Sequence, residues 1–250
     1  MEELIMPLLI FVVGCIGGVL VNYMADVLPI YRRFGHPICQ TCSQPIPIKD
    51  YILLRPCADC GRRTWKRRAL VLVIMPITFL ALWYFPNGRL SFFENTIIAV
   101  YFILVGLIDL EHRVILHPVS LIGAGIGFVL GYRMHGLIAT LIGGAAGFAM
   151  MLVLFYFGGL FAKLMGKWRG EEIEEVPLGF GDVNLSGVLG LLLGWPGIIA
   201  GLFFAILFGG VFSGLYILFQ KLVKRYQAFT AIPYAPFLLI GSALLLFIPK

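Results

Sequence analysis

The sequence predicts an all-α polytopic membrane protein with about eight transmembrane helices and a cytoplasmic zinc-binding loop between helices one and two. Of its 250 residues, 60% are hydrophobic and only 13% are charged, whereas an ordinary soluble protein has about 25% charged residues. Apolar runs of about 20 residues, the length that spans a bilayer, recur along the chain. Because backbone groups in hydrocarbon must bond internally, these runs predict helices. The composition excludes a soluble globular enzyme, a disordered chain and a nucleic-acid-binding domain.

The apolar runs also define the predicted domains. The eight runs lie at residues 4–26, 69–86, 92–110, 118–132, 136–160, 183–195, 197–219 and 232–249. The sixth is shorter than a full span, which predicts that Asp182 at its start lies near membrane level. Small residues such as Gly143, Gly144 and Gly147 predict close helix packing. We divide the chain into a first transmembrane helix, a polar loop and a transmembrane core, at residues 1–26, 27–68 and 69–250.

The distribution of basic residues predicts how the chain is oriented in the lipid bilayer. With eight crossings, sixteen Lys and Arg residues fall on one side of the membrane and three on the other. Cytoplasmic loops carry the excess of basic residues, so the first side is predicted to be cytoplasmic and both termini to lie outside. Nine of the sixteen lie in the polar loop: Arg32, Arg33, Lys49, Arg55, Arg62, Arg63, Lys66, Arg67 and Arg68.

Four of the five cysteines lie in the polar loop. Cys39-x-x-Cys42 is followed 14 residues later by Cys57-x-x-Cys60. Two such pairs can supply four thiolates to a structural Zn²⁺ ion, and thiols stay reduced on the cytoplasmic side. A closed four-cysteine site has no open position for water, so it would fold the loop and would not catalyse. Disulfides or a redox CxxC pair remain the alternatives.

Two carboxylates are predicted at the cytoplasmic face of the membrane. Asp109 ends the third apolar run and Asp182 begins the sixth. Ionised groups near hydrocarbon are costly and usually mark function. Two acids that meet at one depth can share a proton, as in the catalytic pair of an aspartic protease. The alternative is that both are interfacial caps, with Asp182 capping its own helix.

Several neighbours of the two carboxylates have weaker signals. Gly179 and Gly181 permit backbone conformations that other residues disfavour, and they would let a substrate strand approach closely. His112 lies three residues after Asp109 on the same helix face, where it either tunes the pair or is an ordinary interfacial histidine. Asp26, at the end of the first helix, is expected to face water.

These features together resemble the type IV prepilin peptidase family, which are GxGD-type intramembrane aspartic proteases. The resemblance covers nearly the whole chain. Near the end of the first helix, Gly18, Asn22, Leu28 and Pro29 fit the family's GSFLNVxxxRLP-like pattern. The most specific part is an ordered set of four elements: the paired CxxC loop, Ile108-Asp109-Leu110, Gly179-Phe-Gly-Asp182, and Ile232-Pro-Tyr-Ala-Pro-Phe237, which is similar to the family's IPFGPF-like stretch.

The resemblance implies an activity, a substrate and a location. Asp109 and Asp182 would be the catalytic pair of an endopeptidase in the bacterial inner membrane, with its active site facing the cytoplasm. Its substrates would be prepilins or pseudopilins, cut after a short basic leader. Many members also methylate the new N-terminus, and S-adenosylmethionine would then be the methyl donor. The resemblance also implies that Cys39, Cys42, Cys57 and Cys60 hold zinc.

Two other functions fit parts of the sequence. A polytopic transporter with an acidic proton relay would also have intramembrane acids and glycine-broken helices. It predicts inverted repeats, which we do not find in the sequence, and it leaves the cysteine loop without a task. A catalytically silent family member is the second alternative, but the presence of both Asp109 and Asp182 argues against it.

Overall fold

The computed structural model of the chain describes residues 2–39, 41–61, 65–169, 178–223 and 233–248, without the side chains of 2–4, 165, 168 and 169. Several features singled out in the sequence lie outside these residues. They are Arg62, Arg63 and Ile232.

The described chain is almost entirely helical, as predicted. Its helices are α1 (Glu2–Tyr31), α2 (Ile48–Ile52), α3 (Trp65–Tyr84), α4 (Phe92–His112), α5 (His117–Arg169), α6 (Phe180–Leu193), α7 (Gly197–Leu222) and α8 (Ala235–Phe247). Within the described residues each of the eight predicted apolar runs is largely helical, and the fourth and fifth runs are both contained in α5. The short α2 in the polar loop was not predicted.

Five of the described helices are long and apolar enough to cross a membrane, namely α1, α3, α4, α5 and α7. Helices α6 and α8 are apolar but contain only 14 and 13 residues. At 1.5 Å per residue α6 is about 21 Å long, less than the hydrocarbon thickness of about 30 Å. The chain is therefore a multi-pass membrane protein whose sixth predicted span is short, as the sequence indicated.

Helix α5 consists of two helical segments separated at Gly136. Gly136 has φ 77° and ψ 170°, a conformation that residues with a side chain rarely adopt. The two segments fold back on each other. The close approach of residues on either side of the break shows this: a Cβ at Gly131 would lie 3.1 Å from the Thr140 methyl carbon. The break thus converts one long helix into a helical hairpin, and it separates the fourth and fifth predicted runs.

By its internal contacts the chain forms two compact units, residues 1–108 and 109–248. In the second unit α6 packs against both segments of α5. A Cβ at Gly127 would lie 2.9 Å from the Val188 carbonyl oxygen, and a Cβ at Gly143 would lie 2.5 Å from the Gly190 carbonyl oxygen. Glycine therefore permits this backbone approach, as predicted for the glycine-rich fifth run. Helix α8 packs against α6 and α7 in the same unit.

In the first unit α1 packs along α3, and a buried ionic cluster lies where the two helices meet the polar loop. Asp26 is only 6% exposed and forms salt bridges with Arg67 and Arg68. The Tyr51 hydroxyl donates to the same carboxylate, and Arg67 also donates to Asn22. The expectation that Asp26 faces water is wrong, because the chain returns two guanidinium groups to it from the start of α3.

Candidate active site and cysteine site

Asp109 lies in the last turn of α4, at the start of the second unit. Its side chain is 5% exposed, and one carboxylate oxygen, Oδ2, is buried with no hydrogen-bond partner among the described residues. The backbone N–H of Ala235, the first residue of α8, approaches the carboxylate, and the Arg113 guanidinium acts on its charge. Asp109 forms no salt bridge with a described residue.

Asp182 lies in the first turn of α6 and is 7% exposed. Its Oδ2 accepts a hydrogen bond from the backbone N–H of Gly179 at 3.2 Å. This bond caps the helix from its third residue, so the alternative that assigned Asp182 a capping role describes part of its environment. The positive end of the helix dipole also favours an anion here. One bond leaves the rest of the carboxyl group available for chemistry.

The second unit brings Asp109 and Asp182 close enough for their charges to interact. Neither residue forms a salt bridge among the described parts of the chain. The two acids come from helices that are separated in sequence by the whole α5 hairpin. The packing of the helices brings the two acids together. Their proximity was expected, because the sequence predicted both helix ends at the same depth in the membrane.

The residues at the start of α8 were not assigned a role from the sequence. Ala235 is fully buried and directs its N–H to Asp109. Tyr234, the residue before it, is half-buried. Proline at the first turn of α8 presets a helical φ where no internal hydrogen bond is lost. The signal in the sequence was the pair Pro233 and Pro236 around Tyr-Ala.

The conformational reason given for Gly179 and Gly181 is wrong. Neither residue has a positive φ, and Gly179 has the extended backbone (φ −80°, ψ 147°) of a helix N-cap. Gly181 instead permits close packing, because a Cβ there would lie 2.9 Å from the Ile115 Cβ. Gly179 is exposed beside the carboxylates, so a substrate-binding role for it remains a prediction.

The Nε2 atom of His112 is buried with no described partner.

The four loop cysteines come together, as their spacing predicted. Their Sγ atoms all lie within 4.8 Å of one another, with Cys39–Cys60 at 3.5 Å and Cys42–Cys57 at 3.6 Å. A tetrahedral site with Zn–S bonds of about 2.3 Å requires Sγ–Sγ separations of about 3.8 Å. All four are free thiols. The group can therefore hold a metal ion, and its geometry fits zinc.

Both CxxC pairs adopt the same turn. The N–H of Ser43 donates to the Cys39 carbonyl at 2.8 Å, and the N–H of Gly61 donates to the Cys57 carbonyl at 2.9 Å. Ser43 and Gly61 each follow the second cysteine of a pair and have φ of 57° and 65°. The repeated turn presents the two thiols of each pair to one point.

Backbone donors prepare one of these thiols for ionisation. Hydrogen bonds from the backbone N–H groups of Cys42 and Thr41 lower the pKa of Cys39 to about 6. The Gln44 backbone acts in the same direction on Cys42, but burial and the neighbouring thiols outweigh it and raise the pKa of Cys42 to about 12. A site without a cation thus carries its negative charge on Cys39 first, since four adjacent thiolates repel one another.

Comparison with known proteins finds similarity over the helices that carry the two carboxylates. Residues 96–214, which include Asp109 and Asp182, match the model of the type IV leader peptidase family. The prepilin leader peptidase/N-methyltransferase of Bacillus subtilis (strain 168) is 24% identical over 249 residues, covering 94% of this chain and 92% of that protein. No solved structure matches the chain. The match across both carboxylates, and the relative that spans nearly its full length, make the chain similar to the type IV leader peptidase family.

Proposed function

We propose that this protein is an aspartic endopeptidase that cleaves the leader of type IV prepilins or pseudopilins. The observation that carries the proposal is the buried pair Asp109 and Asp182, which has no salt bridge to a described residue and lies inside the region matched by the family. The family and the named relative support a leader peptidase. The aspartic mechanism follows from the chemistry of the pair.

When two buried carboxyl groups lie near each other, ionising both costs too much free energy, so one holds a proton while the other stays charged. The charged carboxylate takes a proton from a water molecule, and the water oxygen attacks the scissile carbonyl. The protonated carboxyl group donates its proton to the carbonyl oxygen. Collapse of the tetrahedral intermediate then breaks the C–N bond. The first carboxyl group passes the proton it took from water to the leaving amine, and the second carboxylate takes back a hydroxyl proton as the carbonyl re-forms. The pair titrates as a unit through this cycle.

The charge distribution supports cleavage on the cytoplasmic side of the bacterial inner membrane. The positive-inside rule places the basic loop 27–68 and the ends of α4 and α6 that carry Asp109 and Asp182 on one side. A short basic leader would approach the site from that side. Structural zinc held by the four cysteines would tie the loop together, because a closed four-thiolate site leaves no coordination position for substrate.

Cleavage of a co-expressed prepilin in membranes tests the proposal. We expect the wild-type protein to shorten the prepilin, and Asp109→Asn and Asp182→Asn to abolish cleavage while the protein remains in the membrane. The control is Asp50→Asn, the same change at an acid of the polar loop outside the pair. Full cleavage by either pair variant would overturn the two-carboxylate mechanism.

The same assay separates the remaining functions. A transporter, or a silent family member, would leave every prepilin in a panel of leader sequences uncut. The relative from Bacillus subtilis is also named an N-methyltransferase, so the mass of the product N-terminus decides whether methylation is retained here. One added methyl group per product chain, dependent on S-adenosylmethionine, would establish that second activity.

A further inference from the structure

A cavity of about 500 Å³ lies in the first unit, where the polar loop leaves α1. Its lining includes Tyr31, Arg33, Phe34, His36 and Ser43, and we call it the loop cavity. Its volume is within the range of about 300–1,000 Å³ that is usual for small-molecule sites. Neither the four thiols nor the carboxyl pair lines it, so the loop cavity has no part in the metal site or in the proposed activity.

Hydrogen bonds hold the walls of the loop cavity in place. The Tyr23 hydroxyl on α1 donates to the Gly35 carbonyl oxygen at 2.7 Å. Ile38 and Pro45, which both line the cavity, pair across an antiparallel bridge. Ser43 belongs to the hydrogen-bonded turn of the first CxxC pair. The cavity is therefore built jointly by the end of α1 and by the first cysteine turn.

Three polar side chains of the lining, those of Arg33, His36 and Ser43, form no hydrogen bond or salt bridge with a described residue. In the same loop, by contrast, Arg55 forms a salt bridge with Asp50. The guanidinium group of Arg33 is always charged, and its planar fork of donors matches two oxygens of a phosphate or a carboxylate. The loop cavity therefore presents a cation without a described counter-ion, beside a hydroxyl and an imidazole, and it fits an anion with several acceptor oxygens.

The position of the loop cavity favours an anion that belongs to a lipid. The candidate membrane span of α1 ends at Tyr31, and Arg33 follows it by two residues. Phe34 is 71% exposed, and aromatic side chains beside a membrane span lie at the level of the lipid headgroups. Basic pockets at this level bind anionic headgroups. The short basic leader of the proposed substrate would instead be repelled by Arg33.

We propose that the loop cavity binds the headgroup of an anionic phospholipid, with the Arg33 guanidinium paired to the lipid phosphate and the Phe34 ring at the boundary with the acyl chains. The bound lipid fastens the polar loop to the membrane surface beside α1. The inference concerns the first unit and does not depend on the proposed peptidase activity.

Binding of short-chain phosphatidylglycerol to the whole chain in an uncharged detergent tests the site, with native mass spectrometry to count the bound lipids. We expect saturable binding that is tighter than that of phosphatidylcholine with the same acyl chains, and tighter than that of glycerol 3-phosphate. Arg33→Gln should raise the Kd for phosphatidylglycerol about tenfold, the effect of losing a charge-assisted two-point contact.

The matched control is Arg32→Gln, which removes the same charge one residue away from a side chain that does not line the loop cavity. Its Kd for phosphatidylglycerol should change less than about twofold, because a charge outside the cavity adds only a diffuse attraction that salt screens. Asp182→Asn, which should be inactive as a peptidase, should bind the lipid as tightly as the wild type does.

Three results would overturn the proposal. Equal weakening by the two arginine variants would show attraction to the whole basic loop and no site at the loop cavity. Phosphatidylcholine bound as tightly as phosphatidylglycerol would exclude the charge pairing. Glycerol 3-phosphate bound as tightly as the lipid would exclude a lipid as the occupant.

The unfolding temperature shows whether Arg33→Gln folds. If it does not, Arg33→Lys replaces it, since lysine keeps the charge and loses the planar fork of donors. Arg33→Lys should bind phosphatidylglycerol about threefold more weakly than the wild type, and wild-type affinity in that variant would equally overturn the proposal.

Discussion

Asp26 in the first unit and the pair Asp109–Asp182 in the second are buried to nearly the same degree, with 5–7% exposure, but their surroundings are opposite. Asp26 has two arginines and a tyrosine hydroxyl directed at it. Asp182 has one described backbone N–H and the charge of Asp109 beside it, and Asp109 has the Ala235 N–H and the charge of Arg113, with which it forms no described salt bridge. Burial alone does not indicate a catalytic carboxylate. The number of cations and donors around the acid distinguishes a structural role from a chemical one.

Removal of one carboxyl group of the pair should abolish nearly all activity. Asp182→Asn should lower the rate of cleavage by at least about a thousandfold, since removal of one member of a catalytic group costs about as much as removing the group. The unfolding temperature in detergent should stay level or rise, because the variant relieves repulsion between two buried acids. If Asp182→Asn lowered stability as much as Asp26→Asn does, the distinction between a catalytic and a structural buried acid would be wrong.

The four cysteines of the polar loop could hold a metal ion, and we expect that ion to be zinc. Metal analysis of freshly reduced protein should find one zinc ion per chain. Cys57→Ser should remove it, because three thiolates and a hydroxyl bind zinc much more weakly than four thiolates. Protease sensitivity of the polar loop should rise as the metal is lost. Cys15→Ser is the control, since Cys15 lies in α1 and outside the four-thiol cluster; zinc retained by Cys57→Ser would exclude the four-cysteine site.

Asp26→Asn should destabilise the protein by about 3 kcal/mol, because breaking a buried ion pair leaves uncompensated guanidinium charge. Arg68 would keep its place over the Tyr51 ring, 4.1 Å from the centroid, but lose its anion. Thermal unfolding checks the value. Asp50→Asn is the matched control: its salt bridge with Arg55 is exposed, with the two side chains 33% and 64% accessible, and its loss should cost less than about 1 kcal/mol.

A smaller loss of stability is expected when the contact between α5 and α6, the helix that carries Asp182, is overpacked. Gly143→Ala should destabilise the second unit by about 1–3 kcal/mol, the usual cost of overpacking, because the new Cβ would lie 2.5 Å from the Gly190 carbonyl oxygen. Gly214→Ala, where a Cβ meets nothing within 4 Å, should be neutral or slightly stabilising. Equal unfolding temperatures for the two variants would show that the α5–α6 contact yields without cost.

The helices and the cysteine turns were predictable because their causes are local. Hydropathy over about 20 residues is enough to identify a membrane helix, and each of the eight apolar runs is largely helical within the described residues. The two CxxC pairs each close a turn within a few residues, so their spacing predicted a common thiol cluster. The break at Gly136 was anticipated only as the gap between two runs.

The environments of the acids could not be predicted in this way. Asp26 was expected to face water, but its arginines return from 41 and 42 residues away. The N–H of Ala235 approaches Asp109 from more than a hundred residues away in the sequence. No local sequence pattern predicts contacts between residues so far apart, because the charges that compensate a buried acid depend on which helices pack together.

Composition and residue spacing, which act over short ranges, were enough to predict a helical membrane protein with two acids at helix ends and four thiols in one loop. Which acid is neutralised, and which acids lie near each other, depended on how the helices pack. The physical reason is that a buried carboxylate takes its character from the nearest charges and donors, and these come from helices that are distant in the chain.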